Sequence, residues 1–184
     1  MADREALSKL LEQDQVRLEP FADHHIPNLR KAYDQDTEIW EIYPVNMSGE
    51  HFNAGFAVFN NNLKNGSWVG FAIFNTETDE LVGLTNYINP DAQGVVEIGG
   101  TYIAPSVRGS SFNRTMKKLM IEHAFACGYR KVGFKVDSRN KRSMAAVLKL
   151  GAKQEGVLRA NMITWTGYVR DTALFGLLPE EWTG

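Results

Sequence analysis

Cysteine is nearly absent. Cys127 is the one thiol in 184 residues, so no internal disulfide can form, and a reducing compartment, the cytoplasm, is the expected location. Long apolar runs are missing too: no window approaches about 18 uninterrupted apolar residues, so no spanning helix and no membrane partner are expected. The opening Met1-Ala2-Asp3-Arg4-Glu5 is charged with no apolar segment behind it, unlike a secretory signal. Neither sign of charge dominates. With 20 basic and 22 acidic residues the balance is −2, and direct nucleic-acid binding is not expected without a net basic footprint. Histidine is scarce: His24, His25, His51 and His123 show no metal-ligand spacing, so no metal is expected. The chain lacks GxxxxGK[ST] and GxGxxG, which leaves a P-loop and a dinucleotide fingerprint unsupported. It also lacks the GxSxG elbow of α/β-hydrolases. Repeats and low-complexity linkers are absent, and the length suits about one domain, expected to span 1–184.

What is present is an ordinary globular composition. Apolar residues make up 43% and charged residues 23%, enough to bury a core without disulfide or metal support. The spacing of Leu7, Leu10 and Leu11 predicts a short helix over 6–12. Strands are predicted over 16–20, 68–75, 81–89 and 95–103, the last three as an antiparallel meander with short turns. His25–Tyr33 reads as weakly helical, 37–44 as aromatic-rich and irregular, and a further helix as starting near Ser48 and running to about Leu63.

Beyond Pro105 the pattern changes. Phe112, Met116, Leu119, Met120 and Cys127 recur at helical spacing, with Arg114, Lys117, Lys118 and Glu122 assigned to the other side. Gly128 is placed for a stop. A strand over 131–136, a helix over 140–150 and two strands near 153–162 and 168–177 complete the chain. Strands alternating with helices predict an α/β class, with a mixed and partly antiparallel sheet.

The segment Pro105-Ser106-Val107-Arg108-Gly109-Ser110-Ser111-Phe112-Asn113-Arg114 joins a strand to the amphipathic helix. A helix N-terminus offers free N–H donors and the positive end of a dipole to phosphate oxygens. Gly109 admits close backbone approach. Ser110 and Ser111 can cap or donate, and Arg108 can add a charge-assisted bond. An ordinary capped helix start accounts for the same residues.

Four pieces in order go further: Val96-Glu97-Ile98-Gly99 leading to Ala104-Pro105; Arg108-Gly109; Asn140-Lys141-Arg142-Ser143 leading to Leu150-Gly151-Ala152; and Glu155-Gly156-Val157-Leu158-Arg159, followed by Arg170-Asp171 and Glu181-Trp182. From Val95 to Trp182 the chain resembles the GNAT superfamily of acetyl-CoA-dependent N-acetyltransferases, in the branch with RimJ/RimL-type enzymes. The resemblance implies a mainly antiparallel, twisted sheet flanked by helices, with central strands splayed around the pantetheine arm. It implies acetyl-CoA as co-substrate, with no metal. The diphosphate would lie on the turn after Ile103, at Arg108, Gly109, Ser110, Ser111, Phe112 and Asn113, and Ile103 itself would also contact the coenzyme. Ser111 and Asn113 stand where the family's loop carries small residues.

Glu97, set between Val96 and Ile98 in a strand expected to be central and partly buried, is the candidate general base, and the likeness makes Ser143 the expected proton donor to the thiolate and a coenzyme contact. Asn140 is expected to touch the coenzyme. Structural alternatives stand beside each: a paired Glu97, a bystander hydroxyl at Ser143, a simple cap at Asn140. Gly99-Gly100 is compatible with a bulge or with a flexible strand centre. Arg170-Asp171 reads most simply as an ion pair within the sheet. Trp40, Tyr43 and Phe52, with Tyr87 or Trp165, wall an acceptor pocket or belong to the core.

The expected activity is acetyl transfer to a primary amine, on a small molecule or a protein N-terminus. The rivals are a silent acyl-CoA-binding module and a nucleotide-binding α/β protein. Exposed edge strands leave a homodimer open.

Overall fold

The computed structural model describes residues 2–184. Eight strands form one sheet in the order β1-β2-β3-β4-β5-β6-β8-β7. They are β1 (Leu11–Gln13), β2 (Val16–Pro20), β3 (Trp68–Asn75), β4 (Glu80–Ile88), β5 (Val95–Ile103), β6 (Lys131–Asp137), β7 (Lys153–Ile163) and β8 (Val169–Leu177). Four helices flank it: α1 (Ile26–Tyr33), α2 (Phe52–Lys64), α3 (Phe112–Ala126) and α4 (Lys141–Lys149). Every strand pair is antiparallel except β5 with β6. The expected class holds: a mixed, mainly antiparallel sheet with flanking helices.

The expected first helix does not form. Glu5–Leu7 makes one 3-10 turn, and Leu11–Gln13 joins the sheet as an edge strand. A seven-residue apolar pattern is too short to hold a helix unaided. Only Leu7 of the predicted face is fully buried, while Leu10 is half exposed. The 37–44 segment, read as irregular, contains a 3-10 stretch, Glu38–Ile42.

The strands form where side chains alternate or where both faces are covered. β4 is buried along nearly its whole length, as befits a strand with helices on both sides. Tyr33 of α1, Trp40 and Tyr102 of β5 pack ring against ring, at centroid distances of 4.9 to 5.2 Å. The Tyr102 hydroxyl donates to Ala32 O, and Trp40 Nε1 donates to Tyr33 O. These rings therefore seat α1 and the chain after it against β5. At the far edge, β7 is exposed on both faces for most of its length.

Candidate active site

The sheet opens between β5 and β6. The two strands pair through only Val95–Lys131, Val96–Val132 and Glu97–Gly133, then part. Beyond Glu97, β5 stays bonded to β4, while β6 stays bonded to β8 as far as Asp137–Thr172. A bulge accompanies the parting. Leu84 pairs with Tyr102 and Asn86 with Gly99, so Gly100 and Thr101 face Thr85 alone. Gly100 has φ +56°, a conformation that costs little only for glycine. Asn86 Nδ2 lies 3.3 Å from Gly99 O and 3.5 Å from Gly100 O, holding the bulge.

Both helices that follow these strands start at the opened end. The turn before α3 leaves β5, and α4 leaves β6 after Asp137. Their positive N-termini therefore flank the mouth of the split.

Glu97 stands at the fork. Its side chain is 16% exposed, and Oε2 lies 3.0 Å from Lys135 Nζ. Burial pushes its carboxyl up, against the pull of Lys135, Arg170 and Lys117. Lys117 was assigned from sequence to the polar side of α3. It is in fact buried with Met116, Met120, Ile121 and Ala124. Its Nζ donates to Thr101 Oγ1 at 2.7 Å, and that oxygen lies 2.7 Å from Thr85 Oγ1. Burial pulls the Lys117 ammonium down to about 7, with Glu97 opposing the shift. The signal was in the spacing: 117, 120, 121 and 124 share a helix face.

The expected phosphate turn is exposed at its tip. Gly109 has φ +80° with open space where a Cβ would lie. Among the described residues, the amides of Gly109, Ser110 and Ser111 donate to no protein acceptor. The Ser110 hydroxyl is committed locally: it donates to Val107 O and accepts from Phe112 N. Ser111 Oγ accepts from Gln15 Nε2. Phe112, which opens the helix, is buried as an anchor, and Asn113 beside it is half-exposed. The Arg108 side chain turns back: Nε donates to Ile103 O at 2.9 Å, and Nη1 pairs with Asp36. The backbone of this turn, more than the guanidinium, is what faces outward.

At the start of α4, Asn140 Oδ1 accepts from Ser143 N at 3.0 Å, so Asn140 is a working cap. Ser143 is half-exposed, and its hydroxyl has no protein partner among the described residues.

A strap of chain crosses the split. On one side the Tyr43 hydroxyl donates to Thr101 O at 2.6 Å. On the other, Trp165, in the turn between β7 and β8, donates through its amide to Pro44 O and through Nε1 to Trp40 O. Of the aromatics proposed as walls, Trp40, Phe52 and Tyr87 are core residues. Tyr43 and Trp165 border the split through the strap.

Arg170 and Asp171 do not pair. Neighbours on a strand point to opposite faces. Asp171 Oδ1 accepts from Ala160 N in a bulge of β7, while Arg170 Nε sits 3.9 Å from Asp137 Oδ2.

Glu19, His24 and His25 do gather, their ligand atoms within 4.8 Å of one another. No sequence spacing announced this, because Glu19 lies on β2. The His25 ring is already committed: Nδ1 accepts from Ala22 N, which leaves Nε2 to donate to Glu19, and Arg17 also holds Glu19.

A split parallel pair, a bulge at the fork, a buried carboxylate and an anion-ready turn together suit a thioester coenzyme and a nucleophile meeting from opposite sides of a sheet. Comparison with known proteins agrees. A family described as Acetyltransferase (GNAT) domain matches residues 15–153. The chain belongs to the GNAT acetyltransferase family. A solved structure described as a probable GNAT-family acetyltransferase from Chromobacterium violaceum is 26% identical, with a TM-score of 0.87 over 95% of this chain and 88% of that one. Mycobacterium smegmatis RimJ, solved with CoA-disulfide, is 18% identical, with a TM-score of 0.79 over 96% and 90%. Spermidine N-acetyltransferase from Vibrio cholerae, solved with CoA and spermine, is 18% identical, with a TM-score of 0.75 over 92% and 98%. At that identity the last two share the fold alone. A curated Emericella nidulans protein, FAD-dependent monooxygenase sdcF, is 27% identical over 110 residues, which are 55% of this chain and 23% of that protein.

In this GNAT acetyltransferase, the split between β5 and β6 and the strap over it are built from both halves of the chain. Residues 36–44 supply the strap and the Arg108 anchor, β5 supplies Glu97 and the bulge, and the β7–β8 turn supplies Trp165. No helix of the described residues is long and apolar enough to cross a membrane.

Proposed function

We propose that this acetyltransferase moves the acetyl group of acetyl-CoA directly to a primary amine in the cytoplasm, with no acyl-enzyme. The observation that carries this reading is the parting of β5 from β6 immediately after Glu97. Thioester and amine are thereby brought to the buried carboxylate from opposite sides. Positioning of this kind can supply effective molarities of order 10⁵ M or more. The amides of Gly109 to Ser111, at the start of α3, would hold the diphosphate.

Glu97 takes a proton from the incoming ammonium, directly or through water. The free amine attacks the thioester carbon, the C–S bond breaks, the nitrogen gives its second proton to water, and the departing thiolate takes a proton from water or from Ser143, which water then reprotonates. Burial raises the Glu97 carboxyl, which makes it a better base than an exposed carboxylate. The acceptor is an amine-bearing small molecule or a protein N-terminus. The spermidine enzyme among its structural neighbours supports amines as the class.

The test is thiol release from acetyl-CoA with a panel of amines. Turnover with wild type, lost in Glu97→Gln while coenzyme still binds, supports the enzyme with Glu97 as base. Binding without turnover on any amine favours a silent acyl-CoA module, for which the Glu97–Lys135 ion pair would be structural. Preferential binding of ATP would point away from both.

A further inference from the structure

The face of the sheet that carries Glu97 also carries a buried guanidinium whose Nε has no hydrogen-bond partner. Pairing of Glu97 with Gly133, Lys135 with Leu174 and Asp137 with Thr172 puts Glu97, Lys135, Asp137, Thr172 and Arg170 on one face. The row runs from the fork along the opened side of β6 and onto β8.

Arg170 is 7% exposed at its side chain and Asp137 is 2% exposed. Their separation of 3.9 Å is too long for a hydrogen bond. Asp137 is already taken: Oδ1 accepts from Arg139 N and Nε, and Oδ2 accepts from Arg139 Nη2. Arg170 Nε is buried without a partner, and so is Thr172 Oγ1 on the same strand face. Buried polar groups are nearly always bonded, so two orphans side by side mark a place for an absent partner.

The partner's charge follows from the surroundings. Glu97 is paired with Lys135 and Asp137 with Arg139. The Arg170 charge is left with no carboxylate within hydrogen-bond reach. A guanidinium favours a carboxylate, which it can grip by two parallel bonds. A polyamine would bring further positive charge into the same space.

We propose that Arg170 binds a carboxylate of the acceptor, so that the physiological acceptor is an amine that also bears a carboxylate, such as an amino acid or short peptide. This rests on the reading of Glu97 and the split as the acetyl-transfer site. Glu97 would take the proton from the nitrogen, while Arg170, with Thr172 Oγ1 beside it, would hold the other end of the molecule.

The experiment compares kcat/KM by thiol release for matched pairs: each common amino acid, with a set of dipeptides, against its decarboxylated amine, and spermidine as a cationic reference. Loss of a charge-assisted bond is worth about tenfold or more. The expected result is that carboxylate-bearing members lead by at least that factor. Arg170→Gln should collapse this ratio through KM for the acceptor, while the Kd for CoA is retained as the check on folding. Arg170→Lys, which keeps the charge but not the fork, should hold part of the preference, and Thr172→Val should weaken it if the carboxylate reaches both groups. Turnover led by spermidine or by decarboxylated amines overturns the proposal and leaves the acetyltransferase reading intact. Coenzyme binding with no turnover of any carboxylate-bearing amine overturns it as well. Failure to bind coenzyme at all sinks the underlying reading instead.

Discussion

Glu97 and Lys117 approach the fork from the two sides of the sheet, and burial discourages charge on both. For Glu97 the proton is held more tightly than on an exposed carboxylate, so its basic form fills later as pH rises. The acidic limb of kcat/KM should therefore lie above the ordinary carboxylate range and vanish in Glu97→Gln. That variant should lose about 10²- to 10⁴-fold in kcat with its Kd for acetyl-CoA unchanged by calorimetry. Lys117, pulled down to about 7, holds fewer protons in the folded protein than in the unfolded chain between about pH 7 and its ordinary value of 10.5. Stability should then rise across that window, by up to about 1.4 kcal/mol per pH unit, and fall as pH drops toward 7. Lys117→Met should flatten this slope in urea titrations and be the more stable protein near neutrality, because an apolar side chain carries no desolvation cost. At this scale the sequence announced Glu97, whose place between Val96 and Ile98 marks a half-buried strand. It hid Arg108's turn toward Asp36 and the orphaned Arg170, since both depend on residues far away in the chain.

The elements show where local pattern suffices. The strands over 68–75, 95–103 and 131–136 and the helices α3 and α4 were legible from alternation, helical spacing and glycine stops, because each buries a face that its own sequence defines. The first dozen residues were not: Leu11–Gln13 pairs with Val16–Leu18, a tertiary decision that overrides a short helical pattern. The bulge was signalled only by Gly99-Gly100, and its consequence, the unpaired length of β5, was not readable from spacing. Gly100→Ala probes it. An added Cβ would come within 2.8 Å of Asn86 Nδ2 at φ +56°, costing about 1–2 kcal/mol for the left-handed backbone alone. Melting should fall by a few degrees, and kcat/KM should fall further than folding loss explains. Tyr43→Phe removes one anchor of the strap, the bond to Thr101 O. It should cost about 1 kcal/mol and increase hydrogen exchange over 38–44.

At the scale of the molecule, the account joins a split sheet, two helix N-termini and a strap into one acetyl-transfer site. Its fold and family were legible through four short pieces in a fixed order, none specific alone. The acceptor was not, because the residues proposed to face it come from β6, β8 and the strap and meet only in three dimensions. The decisive measurement is hydrogen exchange with and without acetyl-CoA. The account predicts that the coenzyme protects amides over 98–103, 109–111 and 134–137, the opened strand edges and the turn before α3. Protection confined to other regions, or none at saturating coenzyme, would contradict it.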